Sequence, residues 1–236
     1  MTRKFLTALA TLAVLALTAL APGCATPTFV SNAHDAELVV RRAHLVLLEA
    51  AEAPDADAAR YLLRRAKAVA IFPGTLRVGL IFGGKLGMGV VLVRQADGAW
   101  SPPAFFHMGA ASIGFQAGAQ SADLLMVIMT DKGLSGVMRN KLQLGVDASA
   151  AAGPLGRQTE ASLAAANMRA DVYSYSRAQG LFAGASLQSV VIEADAEADD
   201  LYYNADASNE DILNNRIGDA PASAAELRQA LARLSD

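Results

Sequence analysis

Apolar positions recur at three- and four-residue spacing from Ala36 onward: Ala36, Val39, Val40, Ala43, Leu47 and Ala50. That period lines one side of an α-helix. Ser31 or Asn32 stands where a helix cap belongs, so the pattern predicts a helix to about Ala53, broken by Pro54 and Asp55. A second helix is predicted over "ADAARYLLRRAKA", Ala56 to Ala68, with Asp55 and Asp57 at the end where the helix dipole favours acids. It gathers Arg60, Arg64, Arg65 and Lys67.

Past Ala68 the pattern changes to short apolar runs rich in Val and Ile: "AVAIF", "LRVGLIF", "MGVVLVR", "AFFHMGAASIGFQAG" and "DLLMVIMT". Gly, Pro and Asp-Gly punctuate them, which predicts several strands with tight connections. Asp97-Gly98 is the strongest hairpin signal. Glycine also recurs inside the runs, at Gly79, Gly83, Gly84, Gly87, Gly89, Gly109, Gly114 and Gly118, as expected for bulges, bends or close backbone approach. At least one helical turn is predicted within "DKGLSGVMRNKLQLG" and a small-residue loop in "ASAAAGPLGRQTEA". Strands follow in "ADVYSYSRAQ" and "LFAGASLQSVVIEAD", and helices around Asp199 to Asn204, Asn209 to Asn214 and "SAAELRQALARL". In that last stretch Ser223 and Glu226 have capping-box spacing. The expected fold class is α+β: a compact, glycine-rich, mainly antiparallel curved sheet or barrel flanked by N- and C-terminal helices.

The first residues have a different layout. "MTRK" supplies two cations, "FLTALATLAVLALTALA" an apolar run, and "PGCA" a helix-breaking, small-residue end. This is the arrangement of an export signal over residues 1–23. The alternative is a membrane anchor, but the run falls short of the roughly 20 residues a span needs. Cys24 is the sole cysteine in the chain, so an internal disulfide is impossible. Its place after the apolar run resembles a bacterial lipobox, in which the cysteine is acylated. Gly23 fits that pattern, whereas Pro22 and Ala21 depart from it. The expected organisation is a signal peptide over 1–23, a lipidated tether over 24–31 and one domain over 32–236. The expected location is the periplasmic face of the outer membrane, with a soluble periplasmic or inner-membrane-anchored protein as alternatives.

Composition narrows the function classes. With 236 residues and a formal net charge of −3, the chain supports one sizeable core and shows no nucleic-acid footprint. "GLIFGGKL" approaches a phosphate-binding loop around Lys85, but Leu86 stands where a magnesium-holding hydroxyl is required and a strand pattern follows it. His34, His44 and His107 have no metal-ligand spacing, and no nucleophile elbow appears. The acidic run "EADAEADD" lacks the Gly and the closing Glu of a calcium loop and reads as a solvated helix start. "YSYSR" reads as half-buried strand aromatics rather than a base-stacking platform. No cofactor, metal or catalytic residue is expected.

Several motifs recur in order: "AKAVAIFP", "FGGKLGMGVVLVR", "GAWSPPAFF", "SIGFQAGAQSADLLMVIM", "AAGPLGR" and "YSYSRAQGLFAGASLQ". Together they resemble the SYLF family of lipid-binding domains, over about Asn32 to Asn204. Tyr173, Tyr175, Arg177, Gly180, Leu181, Phe182, Gly184 and Leu187 match its signature. The resemblance implies a lipid-binding role without established catalysis. Eukaryotic members bind phosphoinositides and actin and carry a partner-recruiting module; export and the absence of that module argue here against actin as a partner. The expectation is therefore a non-catalytic envelope lipoprotein contacting anionic phospholipid through Arg41, Arg42, Arg60, Arg64, Arg65, Lys67 and Lys85. A scaffold binding an envelope protein is the alternative, and a lipid or cell-wall hydrolase a third reading.

Overall fold

Asn32 caps the first helix: its side chain accepts the Asp35 amide at 3.0 Å, and α1 (Ala33–Glu52) runs to Ala53 as its spacing predicts. This computed structural model describes residues 30–53, 56–79, 82–113, 118–153, 169–178, 181–184 and 189–236. After α2 (Ala56–Leu63) come β1 (Ala68–Gly79), β2 (Phe82–Val93), β3 (Ala104–Ile113) and β4 (Gly118–Ile128). Next are α3 (Asp131–Met138), β5 (Lys141–Gln143), β6 (Ala150–Ala152), β7 (Val172–Ala178), β8 (Leu181–Gly184) and β9 (Val190–Ala194). The helices α4 (Ala196–Tyr203), α5 (Asn209–Leu213) and α6 (Ala222–Ser235) follow.

The described strands form one sheet in the order β5-β9-β3-β2-β1-β4-β7-β6, with β8 paired to β7. Every pairing is antiparallel except β6 with β7. The predicted α+β class and its helical flanks therefore hold, and the sheet is a curled half-barrel. Strand alternation gives each face its own core. Val69, Ile71, Val90, Leu92, Phe105, Leu125, Val127, Tyr173 and Tyr175 pack under α1, α2, α4 and α6. On the opposite face Phe72, Val91, Phe106, Met108, Met126 and Ile192 meet Val137 of α3 and Ile212 and Leu213 of α5.

The bend sits where β1 slips register, between Ile71 and Leu76 against β2 and between Phe72 and Thr75 against β4. Gly74 has φ +60 there, a conformation that glycine adopts without steric cost. Opposite the bulge, a Cβ on Gly89 would run into the Ile71 carbonyl oxygen. Glycine thus permits the close approach the sequence suggested, but not everywhere: a Cβ on Gly84 meets only ordinary contact at 3.6 Å, and one on Gly109 meets nothing within 4 Å. Gly98 takes φ +87 in the expected turn between β2 and β3.

Four local expectations are corrected. The second helix ends at Leu63 rather than Ala68, because the sheet claims the backbone: the Lys67 amide bonds the Ile128 carbonyl and its carbonyl accepts from Arg94, both at 2.8 Å. "AVAIF" and "LRVG" belong to the one bent strand β1, with the rest of the second run divided between undescribed residues and Phe82 of β2, whereas "LFAGASLQSVVIEAD" contributes β8 and β9. Ser223 is not a cap. Pro221 holds that position, and Ser223 turns inward, 2% exposed. Finally, the acidic run is not wholly solvated: Asp195 caps α4, but Asp199 is fully buried.

Candidate functional site

The outward face of α1 exposes two large apolar side chains, Leu45 and Leu48. Its inward face buries Ala36, Val39, Val40, Ala43, Val46, Leu47 and Ala50. At 100° per residue, Arg41, Leu45, Leu48 and Glu52 share the opposite side, with Arg42 beside them. All five are exposed, Leu45 to 56% and Leu48 to 43%. The two leucines were missed in the sequence, although they fall outside the inward-facing spacing and that signal was available. Arg41 is steered by Glu37, whose carboxylate lies 2.7 Å from its Nε.

The other expected cations divide. Arg60 donates to the Ala51 carbonyl at 2.8 Å and to Asp57 at 3.3 Å, closing the end of α1. Arg65 folds over the Tyr61 ring, 3.8 Å from its centroid, and donates to the Tyr61 carbonyl. Lys67 pairs with Asp131 of α3. Arg64 is exposed just past α2 rather than within it. Lys85 lies on β2 opposite Arg77 and Ala110, apart from the helical cations, and its side chain falls outside the described residues. Cys24, Gly180 and Leu187 also fall outside them.

The signature residues build the scaffold under α1. Tyr173 and Tyr175 are buried on the helical side of β7, and the Tyr173 hydroxyl accepts the Ala170 amide at 3.2 Å. Arg177, next on the same face, pairs with Glu49 of α1 and lies 3.6 Å from Asp123 of β4. Asp123 in turn accepts the Gly74 amide at 2.9 Å, so this charged group ties α1 to the bend in the sheet. Leu181, Phe182 and Gly184 lie on β8, in register with Ala178, Arg177 and Tyr175.

Beneath α1 a polar chain runs through the helices. The Ser223 hydroxyl donates to Glu37 at 2.6 Å and lies 2.7 Å from the Tyr202 hydroxyl. Burial pushes the Tyr202 hydroxyl up, opposed by the Ser223 hydrogen bond. A serine beside a carboxylate invites a nucleophile reading, but this one is sealed from solvent and joins three helices. No group of His, Cys, Asp and Glu among the described residues could hold a metal ion, and no described helix is long and apolar enough to cross a membrane.

Comparison with known proteins places these features in context. The Ysc84 family profile, described as Las17-binding protein actin regulator, matches residues 109–234. Protein YSC84 of Saccharomyces cerevisiae is 34% identical over 170 residues, covering 71% of this chain and 36% of that protein. LAS seventeen-binding protein 3 of Saccharomyces cerevisiae is 36% identical over 163 residues, covering 68% and 35%. SH3 domain-containing YSC84-like protein 1 of Homo sapiens is 31% identical over 169 residues, covering 71% and 48%. The chain thus spans between about a third and a half of the length of these relatives. No solved structure matches. The expectation that argued against actin as a partner is overturned, since the matching family is described as an actin regulator and one relative is named for binding LAS seventeen. That description speaks of binding and regulation rather than of a reaction.

Proposed function

The chain belongs to the Ysc84 family, the SYLF family of the motif comparison, and on that premise we propose that it is a non-catalytic binding module that lays the outer face of α1 on anionic phospholipid headgroups. The carrying observation is the exposure of Leu45 and Leu48 beside Arg41 and Arg42 on a helix whose other side is fully buried. Leucines can enter the interface while arginine stems follow them and keep their charges at the headgroups. Each cation near an anionic surface adds about 1 kcal/mol. Exposed Arg64 adds to this charge in the proposal, and Arg60, Arg65 and Lys67 make the surface contacts with Asp57, Tyr61 and Asp131 described above.

In this reading Cys24 is acylated after export and tethers the module within the bacterial envelope, on the periplasmic side of the outer membrane. Eight residues lie between Cys24 and Ala33, a reach of at most roughly 30 Å, so α1 would stay close to the bilayer. Changing Cys24 to Ser should move the protein from the detergent phase to the aqueous phase; retention with an uncleaved N-terminus would favour a membrane anchor instead.

The test of lipid binding is co-sedimentation of a chain starting at Ala25 with phosphatidylglycerol vesicles and with neutral phosphatidylcholine vesicles. Binding to the first alone, weakening as salt rises, supports the reading; a chain left in the supernatant at every composition contradicts it. A second reading is a protein-partner module, favoured by the names of the relatives, with actin or an actin regulator as the partner. Pelleting of the same chain with actin filaments, in the absence of lipid, would support this second reading.

A further inference from the structure

The joint between α4 and β3 is closed around Phe105. The Phe105 amide donates to Asp199 Oδ1 at 2.8 Å, and the Phe105 carbonyl accepts the Asp195 amide at 2.9 Å. The Phe105 ring packs against Tyr202 with centroids 5.3 Å apart, and the Tyr203 hydroxyl donates to the Pro103 carbonyl at 2.6 Å. Asp199 is wholly buried, yet its Oδ2 has no hydrogen-bond partner. A buried carboxylate with one donor and no counter-ion is costly, and such a group takes up a proton instead.

The charges around it favour the same state. Asp195 and Asp200, on its own helix or at its cap, are both acidic. From β3 the Phe105 backbone amide donates to it. Glu37 and Arg41 of α1 act on Tyr202, and Arg228 of α6 acts on Tyr203 and donates to the Trp100 carbonyl. Among the described residues no cation pairs with Asp199.

We propose that Asp199 is held in the fold as a neutral carboxylic acid and that its ionisation opens the joint between α4 and β3, making it a proton-linked hinge. Burial pushes the carboxyl up to about 8, opposed by the Phe105 amide and reinforced by Asp195 and Asp200. An opened Asp199 ionises near the ordinary carboxylate value of about 4. Between these values the closed form holds a proton that the open form releases. Opening therefore becomes about tenfold more favourable with each pH unit and levels off above the upper value. The first turn of α4 would release Phe105 while the rest of the sheet stays paired.

The test is native-state hydrogen exchange of the full chain, read at the Phe105 and Ala198 amides and corrected for the intrinsic pH dependence of exchange. Protection should fall about tenfold per pH unit from roughly pH 5 to pH 8 and then level off. In Asp199→Asn, which keeps an oxygen for the Phe105 amide, that slope should vanish. The same slope in the variant would overturn the proposal. Should the variant fail to fold, the carboxyl carbon of Asp199 in the wild-type protein decides. A midpoint near 8 together with the exchange slope supports the hinge; a midpoint near 4, or no exchange slope, refutes it.

Discussion

Ser223 of α6 and Glu37 of α1 meet through a 2.6 Å hydrogen bond, with the Tyr202 hydroxyl of α4 closing the other side of the serine. One short side chain thereby fastens three helices, and α1 is held with its leucine-bearing face outward. Replacing Ser223 with Ala leaves a half-buried carboxylate oxygen and a buried tyrosine hydroxyl without their shared partner. The expected loss is about 1–3 kcal/mol in urea unfolding, and a double-mutant cycle with Tyr202→Phe should show coupling between the two sites.

The bend in the sheet separates one glycine from another. Gly89→Ala should destabilise by about 2 kcal/mol or more, because its Cβ meets the backbone oxygen of Ile71 rather than a movable side chain. Gly84→Ala should stay within about 0.5 kcal/mol of the wild type, since its nearest contact is an ordinary 3.6 Å. Equal losses in chemical denaturation would remove the close-approach explanation for Gly89.

Acid unfolding should draw on Asp171. Its carboxylate accepts from the Thr130 hydroxyl at 2.6 Å and from the Ser149 amide and hydroxyl at 2.8 and 2.7 Å, joining the starts of α3, β6 and β7. Burial raises its pKa, but those hydrogen bonds outweigh burial and hold the carboxyl below its ordinary value. The stability from this depression is complete above the ordinary value of about 4 and is lost as pH falls through the lower folded value. Asp171→Asn should lower stability at neutral pH by about 1 kcal/mol, since solvent screens this half-exposed group, and flatten the acid limb of Tm against pH.

Much of this architecture is legible in local spacing. The helix from Asn32 to Ala53 follows from its three- and four-residue period, and Asp97-Gly98 marks its turn because Gly98 takes a positive φ. What spacing leaves out depends on tertiary neighbours. The end of α2 was set by the demand of the sheet for the Lys67 backbone, which no helical period encodes. Ser223 had the spacing of a cap, but Glu37 and Tyr202 offered a buried alternative. Asp199 looked solvated within an acidic run because charge pattern does not reveal which side of a helix meets a strand. At the candidate surface, arginines were legible as a composition, whereas Arg60, Arg65 and Lys67 were found to serve packing and ion pairs only once their partners were in place.

The double substitution Leu45→Gln and Leu48→Gln tests the outer face of α1 as the lipid-binding surface. Both side chains are exposed, so thermal stability should remain within about 0.5 kcal/mol of the wild type. Transfer of an apolar side chain contributes about 1.5–3 kcal/mol when fully buried, so partial insertion of two leucines should make vesicle affinity at least tenfold weaker on removal. The folded double variant should lose its affinity for phosphatidylglycerol vesicles at low salt. Wild-type affinity in that folded variant would contradict it, placing the binding surface away from α1.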